Sequence, residues 1–102
     1  MTWTIRVKHT RPNTGVDWFV GTPGHWVNDY IEDKYDDTGK RISLNASLSE
    51  NGLEVTTTVV FRDESAKNEY WLDSQLVDFI DARNTYNTSN SISKTLLQNE
   101  ET

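Results

Sequence analysis

Apolar and polar positions alternate from the start of the chain. Trp3, Ile5, Val7 and His9 fall on one side of a period-two pattern and Thr4, Arg6, Lys8 and Thr10 on the other, which predicts a half-buried strand from Thr2 to Thr10. Arg11-Pro12-Asn13-Thr14-Gly15 ends it with turn chemistry. The short apolar run Val16-Asp17-Trp18-Phe19-Val20 fits either a helical turn or a loop packed by its own rings. Thr22-Pro23 then offers a hydroxyl as N-cap and a proline at the first helical position, where its missing N–H costs nothing. With Trp26, Val27, Tyr30 and Ile31 on one face, a helix is predicted over Pro23 to Tyr35, closed by Asp36-Asp37-Thr38-Gly39-Lys40.

Two further alternating segments follow. Ile42, Leu44, Ala46 and Leu48 face one way in the first, and Leu53, Val55, Thr57, Val59 and Phe61 in the second. Ser49-Glu50-Asn51-Gly52 lies between them, and Asn-Gly readily supplies the positive φ angles of a tight turn, so Arg41 to Phe61 reads as a hairpin. A slip of one residue would turn its apolar face to water, which specifies the register. Asp63 caps a second helix reaching Asn84, with a stripe of Tyr70, Val77 and Ile80 flanked by Leu72, Leu76 and Phe79. Asp73-Ser74 is the point where this helix is expected to break, because both residues compete for the backbone and Asp73 can cap a fresh start. After Tyr86 the chain turns Asn- and Ser-rich. Ser91 to Leu97 reads as a fourth strand anchored by Ile92 and Leu96 or Leu97, and Gln98 to Thr102 as a frayed tail.

The fold class is therefore α+β: an antiparallel sheet of three to four strands with two helices on one face, in a single domain over residues 1–97. This order, β-α-β-β-α-(β), resembles the ferredoxin-like fold, and with the chain length it is similar to the dimeric α+β barrel superfamily. That resemblance covers residues 2–97 by element order and no specific motif. It implies a homodimer whose sheets pack through the faces left open by the helices. A second resemblance rests on residues: Thr56-Thr57-Thr58-Val59-Val60-Phe61-Arg62-Asp63-Glu64 and Ala82-Arg83-Asn84-Thr85-Tyr86-Asn87 are similar to small uncharacterised proteins encoded by marine bacteriophages. It implies a viral source and carries no activity.

Composition narrows the function. With 16 Asp plus Glu against 10 Lys plus Arg, a net charge of −6 argues against a phosphate-binding surface and so against nucleic acid. There is no Cys, which removes disulfides and thiol chemistry and leaves the cytoplasm, of the host cell if the chain is viral, as the expected compartment. No apolar run of about 18 residues occurs, so neither a membrane span nor a secretory signal is expected, and the triplets Asn45-Ala46-Ser47 and Asn87-Thr88-Ser89 read as chance. Aliphatic residues are scarce, and four Trp and four Tyr supply much of the burial. A core this small favours pairing with a second copy.

Candidate chemistry is thin. His9 and His25 are the two histidines; His9 points to the apolar side of its strand, toward a cavity or at the strand's half-exposed end. Asp29, Glu32, Asp33, Asp36 and Asp37 lack the spacing of a calcium loop and read, beside Lys34 and Lys40, as a solvated helix end. No metal and no cofactor is expected. Trp18, Phe19, Trp26 and Tyr30 are candidates for a ligand pocket, although a leucine-poor core needs the same rings. Arg6 and Lys8, with Thr56 and Thr58, form the outer sheet face where a partner would dock, unless they pair across strands with Glu54.

The reading that follows is a non-catalytic homodimeric interaction or assembly protein, with a protein partner. Two alternatives stand beside it. One is an enzyme resembling the cofactor-free oxygenases or heme-handling members of the barrel superfamily, with His9, Trp18 and Trp26 around an aromatic substrate. The other is an acidic decoy that binds a host protein.

Overall fold

The computed structural model describes the backbone at residues 1–19 and 26–102 and the side chains at 1–19 and 29–102. The chain forms an α+β structure in which β1 (Trp3–Thr10), β2 (Arg41–Leu48), β3 (Glu54–Phe61) and β4 (Ser93–Glu101) make one antiparallel sheet in the order β2-β3-β1-β4. The helices are α1 (Trp26–Ile31), which continues as a π-helical turn over Glu32–Asp36, then α2 (Glu64–Trp71) and α3 (Ser74–Ser89). The expected cap at Thr22-Pro23 lies outside the described residues, as does His25.

The alternation in the sequence becomes the two faces of the sheet in β1 and β3. Ile42, Leu44 and Leu48 of β2 and Leu96 and Leu97 of β4, expected to face a core, are instead about half exposed, because these two strands are the sheet's edges. Trp3 lies opposite Phe61, Ile5 opposite Val59 and Val7 opposite Thr57, so the apolar sides of β1 and β3 coincide. Ile5, Phe61 and Ala66 of α2 are buried together, with Trp3, Val7, Val59 and Tyr70 against them. A second buried cluster joins Ile31, Tyr35 and Leu76, packed by Tyr30, Tyr70, Phe79 and Ile80. Tyr70 belongs to both. The core thus has two parts, one between sheet and α2 and one among the helices, with an aromatic ring as the bridge.

Several sequence expectations are adjusted. The hairpin turn closes with Gly52 N–H donating to Ser49 O at 3.0 Å, and in it only Gly52 has positive φ, at +72°. Asn51 acts through its side chain, whose Oδ1 accepts from Leu53 N at 3.0 Å and lies 2.7 Å from Ser49 Oγ. The turn is therefore a wider type with one left-handed glycine, not one with two positive φ angles. The second helix breaks at Asp73-Ser74 as expected, with Asp73 accepting from Gln75 N, but α3 extends past Asn84 to Ser89. The tail expected to fray from Gln98 is strand through Glu101, because β1 needs backbone partners on its open side whatever side chains supply them. Thr102 N–H also donates to Thr2 O at 2.8 Å.

Candidate functional site

The site begins with the way the helices are held. Asp73, at the start of α3, is buried, and its Oδ2 accepts from the hydroxyls of Tyr30 (2.7 Å) and Tyr35 (2.5 Å) and from Lys34 Nζ (2.9 Å). Oδ1 accepts from Gln75 N at 2.9 Å. In an ordinary helix Tyr35 would point well away from Tyr30. The wider π-helical turn, closed by Asp37 N–H donating to Glu32 O at 2.8 Å, brings residues five apart nearer one side. Burial alone pushes the Asp73 carboxyl up, but these four donors outweigh it and hold it far below the usual carboxylate range. The Tyr35 hydroxyl moves up, through burial and then through the hydrogen bond it gives to Asp73. Lys34 is raised by its contacts with Asp73 and Tyr30.

This knot fixes α3 to the α1 side of the molecule and not to the sheet. A cavity of about 270 Å³ is left between them, lined on the sheet side by Ile5, Val7, His9 and Val59 and on the helix side by Leu76, Phe79, Ile80 and Arg83. A second cavity, of about 330 Å³, adjoins it and shares Ile5, Val7, Trp71 and Lys94 as walls before running past Leu72, Leu96 and Asn99. Small-molecule sites commonly occupy roughly 300 to 1,000 Å³ and are mostly apolar with a few polar groups. These walls fit that description.

The polar groups are of one sign. Cross-strand pairing sets Lys94 beside His9, and Arg83 reaches the same space from α3. His9 Nε2 and Arg83 Nε are buried with no hydrogen-bond partner, and no Asp or Glu is among the described residues lining either cavity. Arg41, where Ile42 is an extra residue in the pairing of β2 with β3, stands at the rim and is already held by Asp36 at 2.6 and 2.8 Å. Burial, then Arg83, then Lys94 lower the His9 imidazole below its ordinary value of 6.5. Burial lowers Arg83, and burial followed by Arg83 lowers Lys94. Each cation makes the next harder to charge.

Of the residues singled out from sequence, His9 is in the cavity and the described rings, Trp18, Phe19 and Tyr30, do not line it. Phe19 packs 5.6 Å from Phe79 and 5.5 Å from Tyr86, centroid to centroid, so it backs α3 from outside. Trp18 lies under the Arg11 guanidinium at 4.8 Å, and Arg11 itself donates to Gly52 O and Val16 O. Tyr30 belongs to the Asp73 knot, and the Trp26 side chain lies outside the described residues. On the outer face Arg6 Nε donates to Thr58 Oγ1 at 3.2 Å, and Lys8 Nζ lies 3.4 Å from Glu54 Oε2, so the expected pairing with Glu54 forms. Thr56, beside Thr58 on that face, is half-buried. In the acidic run, Asp36 is paired with Arg41, and among the described residues no three His, Asp or Glu side chains converge as metal ligands would.

Arg83 and Lys94 were not legible as site residues, although one signal for Arg83 existed. It lies three and four places after Ile80 and Phe79, where the apolar stripe of α3 calls for another apolar residue. No helix among the described residues is long and apolar enough to cross a membrane. No protein-family model, curated protein or solved structure matches the chain.

Proposed function

We propose that this chain is a non-catalytic binding protein that takes a small, largely apolar molecule between its sheet and its helices. The observation that carries the reading is the separation of α3 from the sheet, which leaves the walls formed by Ile5, Val7, Trp71, Leu76 and Phe79 unfilled. Trp71, Leu72 and Leu96 in these walls are 43, 81 and 56% exposed, so the space is an apolar groove open to water, and an exposed apolar groove of this size is a place for another molecule. Binding is favoured over catalysis because the His9 imidazole faces Arg83 and Lys94, and no described lining residue supplies the carboxylate that would orient it as a base. The antiparallel order β2-β3-β1-β4 with helices on one face supports a ferredoxin-like description, and a bacteriophage source stands on the segment resemblance alone.

The test is titration with the neutral dye Nile red, read as enhanced and blue-shifted emission. One saturable site per chain is expected, and it should be weakened by about tenfold or more in Val7→Trp, whose larger ring intrudes where the two cavities share a wall, while the far-ultraviolet circular dichroism is retained. Absence of a saturable site, or the same site in the folded variant, would sink the proposal.

A second reading, self-association, is favoured by the free edge of β2. From Ile42 to Ser49 that strand carries no charge, and Ile42, Leu44 and Leu48 are 55, 53 and 58% exposed. The opposite edge, β4, has Lys94, Glu100 and Glu101 and a bulge at Leu97, devices that discourage pairing. Two copies of β2 running antiparallel about Ala46 would set Leu44 of one copy opposite Leu48 of the other. The outer sheet face, with Arg6, Lys8, Thr56 and Thr58, is too polar to be the main contact.

A further inference from the structure

Resting on the reading of the cavity as a binding site, we infer that its ligand is an amphiphile with an anionic oxygen head group. The head sits among Arg83, Lys94 and His9, and the apolar body lies along Ile5, Val7 and Trp71.

The first argument is the cost of the empty arrangement. Arg83 is half-buried, and its Nε–H is shut away from water with no acceptor, which costs the desolvation of that donor. Here it lies near a second cation and an imidazole whose Nε2 is also orphaned. Among the described residues Arg83 and Lys94 have no carboxylate partner, and unlike the other cations without one they have no side-chain hydrogen bond or ring contact in its place: Arg6 donates to Thr58 Oγ1, Arg11 to two backbone oxygens, and Lys67 lies over the Trp3 ring. The chain has 16 acidic residues, and none of those described lines this space. An anionic oxygen supplies what each of the three groups lacks: an acceptor for Arg83 Nε, a counter-charge for Lys94, and an acceptor for His9 Nε2 once it carries a proton.

The second argument is shape. Lys94 borders both cavities, and the walls leading away from it through Val7, Leu96, Trp71 and Leu72 are apolar, ending at Asn68, Asn99 and Lys67, whose ammonium lies over the Trp3 ring at 4.6 Å. A purely ionic ligand would leave those walls unused, and a neutral apolar one would leave the cations unpaired. A cationic amphiphile would meet like charge. Only an anionic head on an apolar tail matches both halves.

The experiment is calorimetric titration of the full chain with four probes of equal tail length, used below their micelle concentrations: decanoate, decyl phosphate, decanol and decyltrimethylammonium. At least one of the two anions should bind about tenfold or more tighter than decanol, and the cation weakest. The anion that binds tighter identifies the head as carboxylate or phosphate. In Lys94→Gln, whose residue is exposed and tolerant of change, and in Arg83→Gln, the preference over decanol should shrink by about threefold or more, with decanol itself unaffected. If decanol binds as well as both anions, or if neither variant alters the preference, the anionic head is refuted while the binding cavity stands. If none of the four binds, the cavity reading itself fails.

Discussion

Tyr35 and Asp73, 38 residues apart, share a hydrogen bond from the tyrosine hydroxyl to Oδ2, in which a fully buried tyrosine meets the residue that caps α3. The same oxygen also takes Tyr30 and Lys34, so one carboxylate decides where α3 lies relative to α1. The position of α3 in turn sets the gap above the sheet.

Asp73→Ala therefore removes an N-cap and a buried acceptor together. Loss of a cap costs about 0.5–2 kcal/mol, and loss of hydrogen bonds to a charged group about 1.5–3 kcal/mol. Tyr35→Phe should cost the smaller part, since it removes one donor and leaves the cap. Chemical denaturation of both variants checks the order; equal midpoints for Tyr35→Phe and the unaltered chain would contradict it.

The same carboxylate predicts an acid limb. Its pKa is depressed on folding, so its contribution is complete above the ordinary carboxylate value of 3.8 and is lost as the pH falls below it. His9 adds a limb nearer neutrality. Its folded value lies below 6.5, so the unfolded chain takes up the proton first, and stability declines as the pH falls through that value. Burial, and after it the facing cations Arg83 and Lys94, maintains the depression. Melting temperature against pH should show the upper step, and His9→Asn should flatten it.

Much of this arrangement follows from local pattern, and the part that does not has a clear reason. The hairpin from Arg41 to Phe61 is written in an alternation around Asn51-Gly52 that the pairing interrupts only at Ile42, and the break at Asp73-Ser74 in the chemistry of those two side chains. The last strand was legible only to Leu97. Gln98 to Glu101 have no apolar pattern, and they are strand because the backbone of β1 pairs with them. The cavity is less legible still. Lys94 faces His9 through the pairing of strands at opposite ends of the chain, and Arg83 faces inward because Asp73 holds α3 away from the sheet. The first has no local signature, and the second has only the place of Arg83 on the apolar stripe of α3.

Arg83→Met should stabilise the ligand-free chain. Replacing an unpaired, partly buried cation by an apolar side chain of similar length relieves desolvation and the repulsion of Lys94. A rise in the midpoint of thermal unfolding is expected, together with an upward return of the Lys94 and His9 pKa values measured by NMR. A lower midpoint would mean that the guanidinium is structurally used.

Association through β2 is tested at its centre. Light scattering at two protein concentrations should show a dimer that dissociates on dilution, and Ala46→Lys, which places like charges directly opposite one another about the two-fold axis, should be monomeric at both. A monomeric parent chain would remove the β2 contact from consideration.

The place of β1 between β3 and β4 also governs the order in which the molecule can be built. β1 is synthesised before every other strand, and its second neighbour, β4, after all of them. Local pairing of β2 with β3 can form early, whereas contacts between β1 and β4 close the longest loop and come late. Until then β1 presents an open row of N–H and C=O groups along Arg6, Val7 and Lys8, and the wall that carries Lys94 does not yet exist. The nascent chain is consequently most exposed to wrong pairing just before its cavity is complete, and the charges of Arg6 and Lys8 guard that edge during the interval.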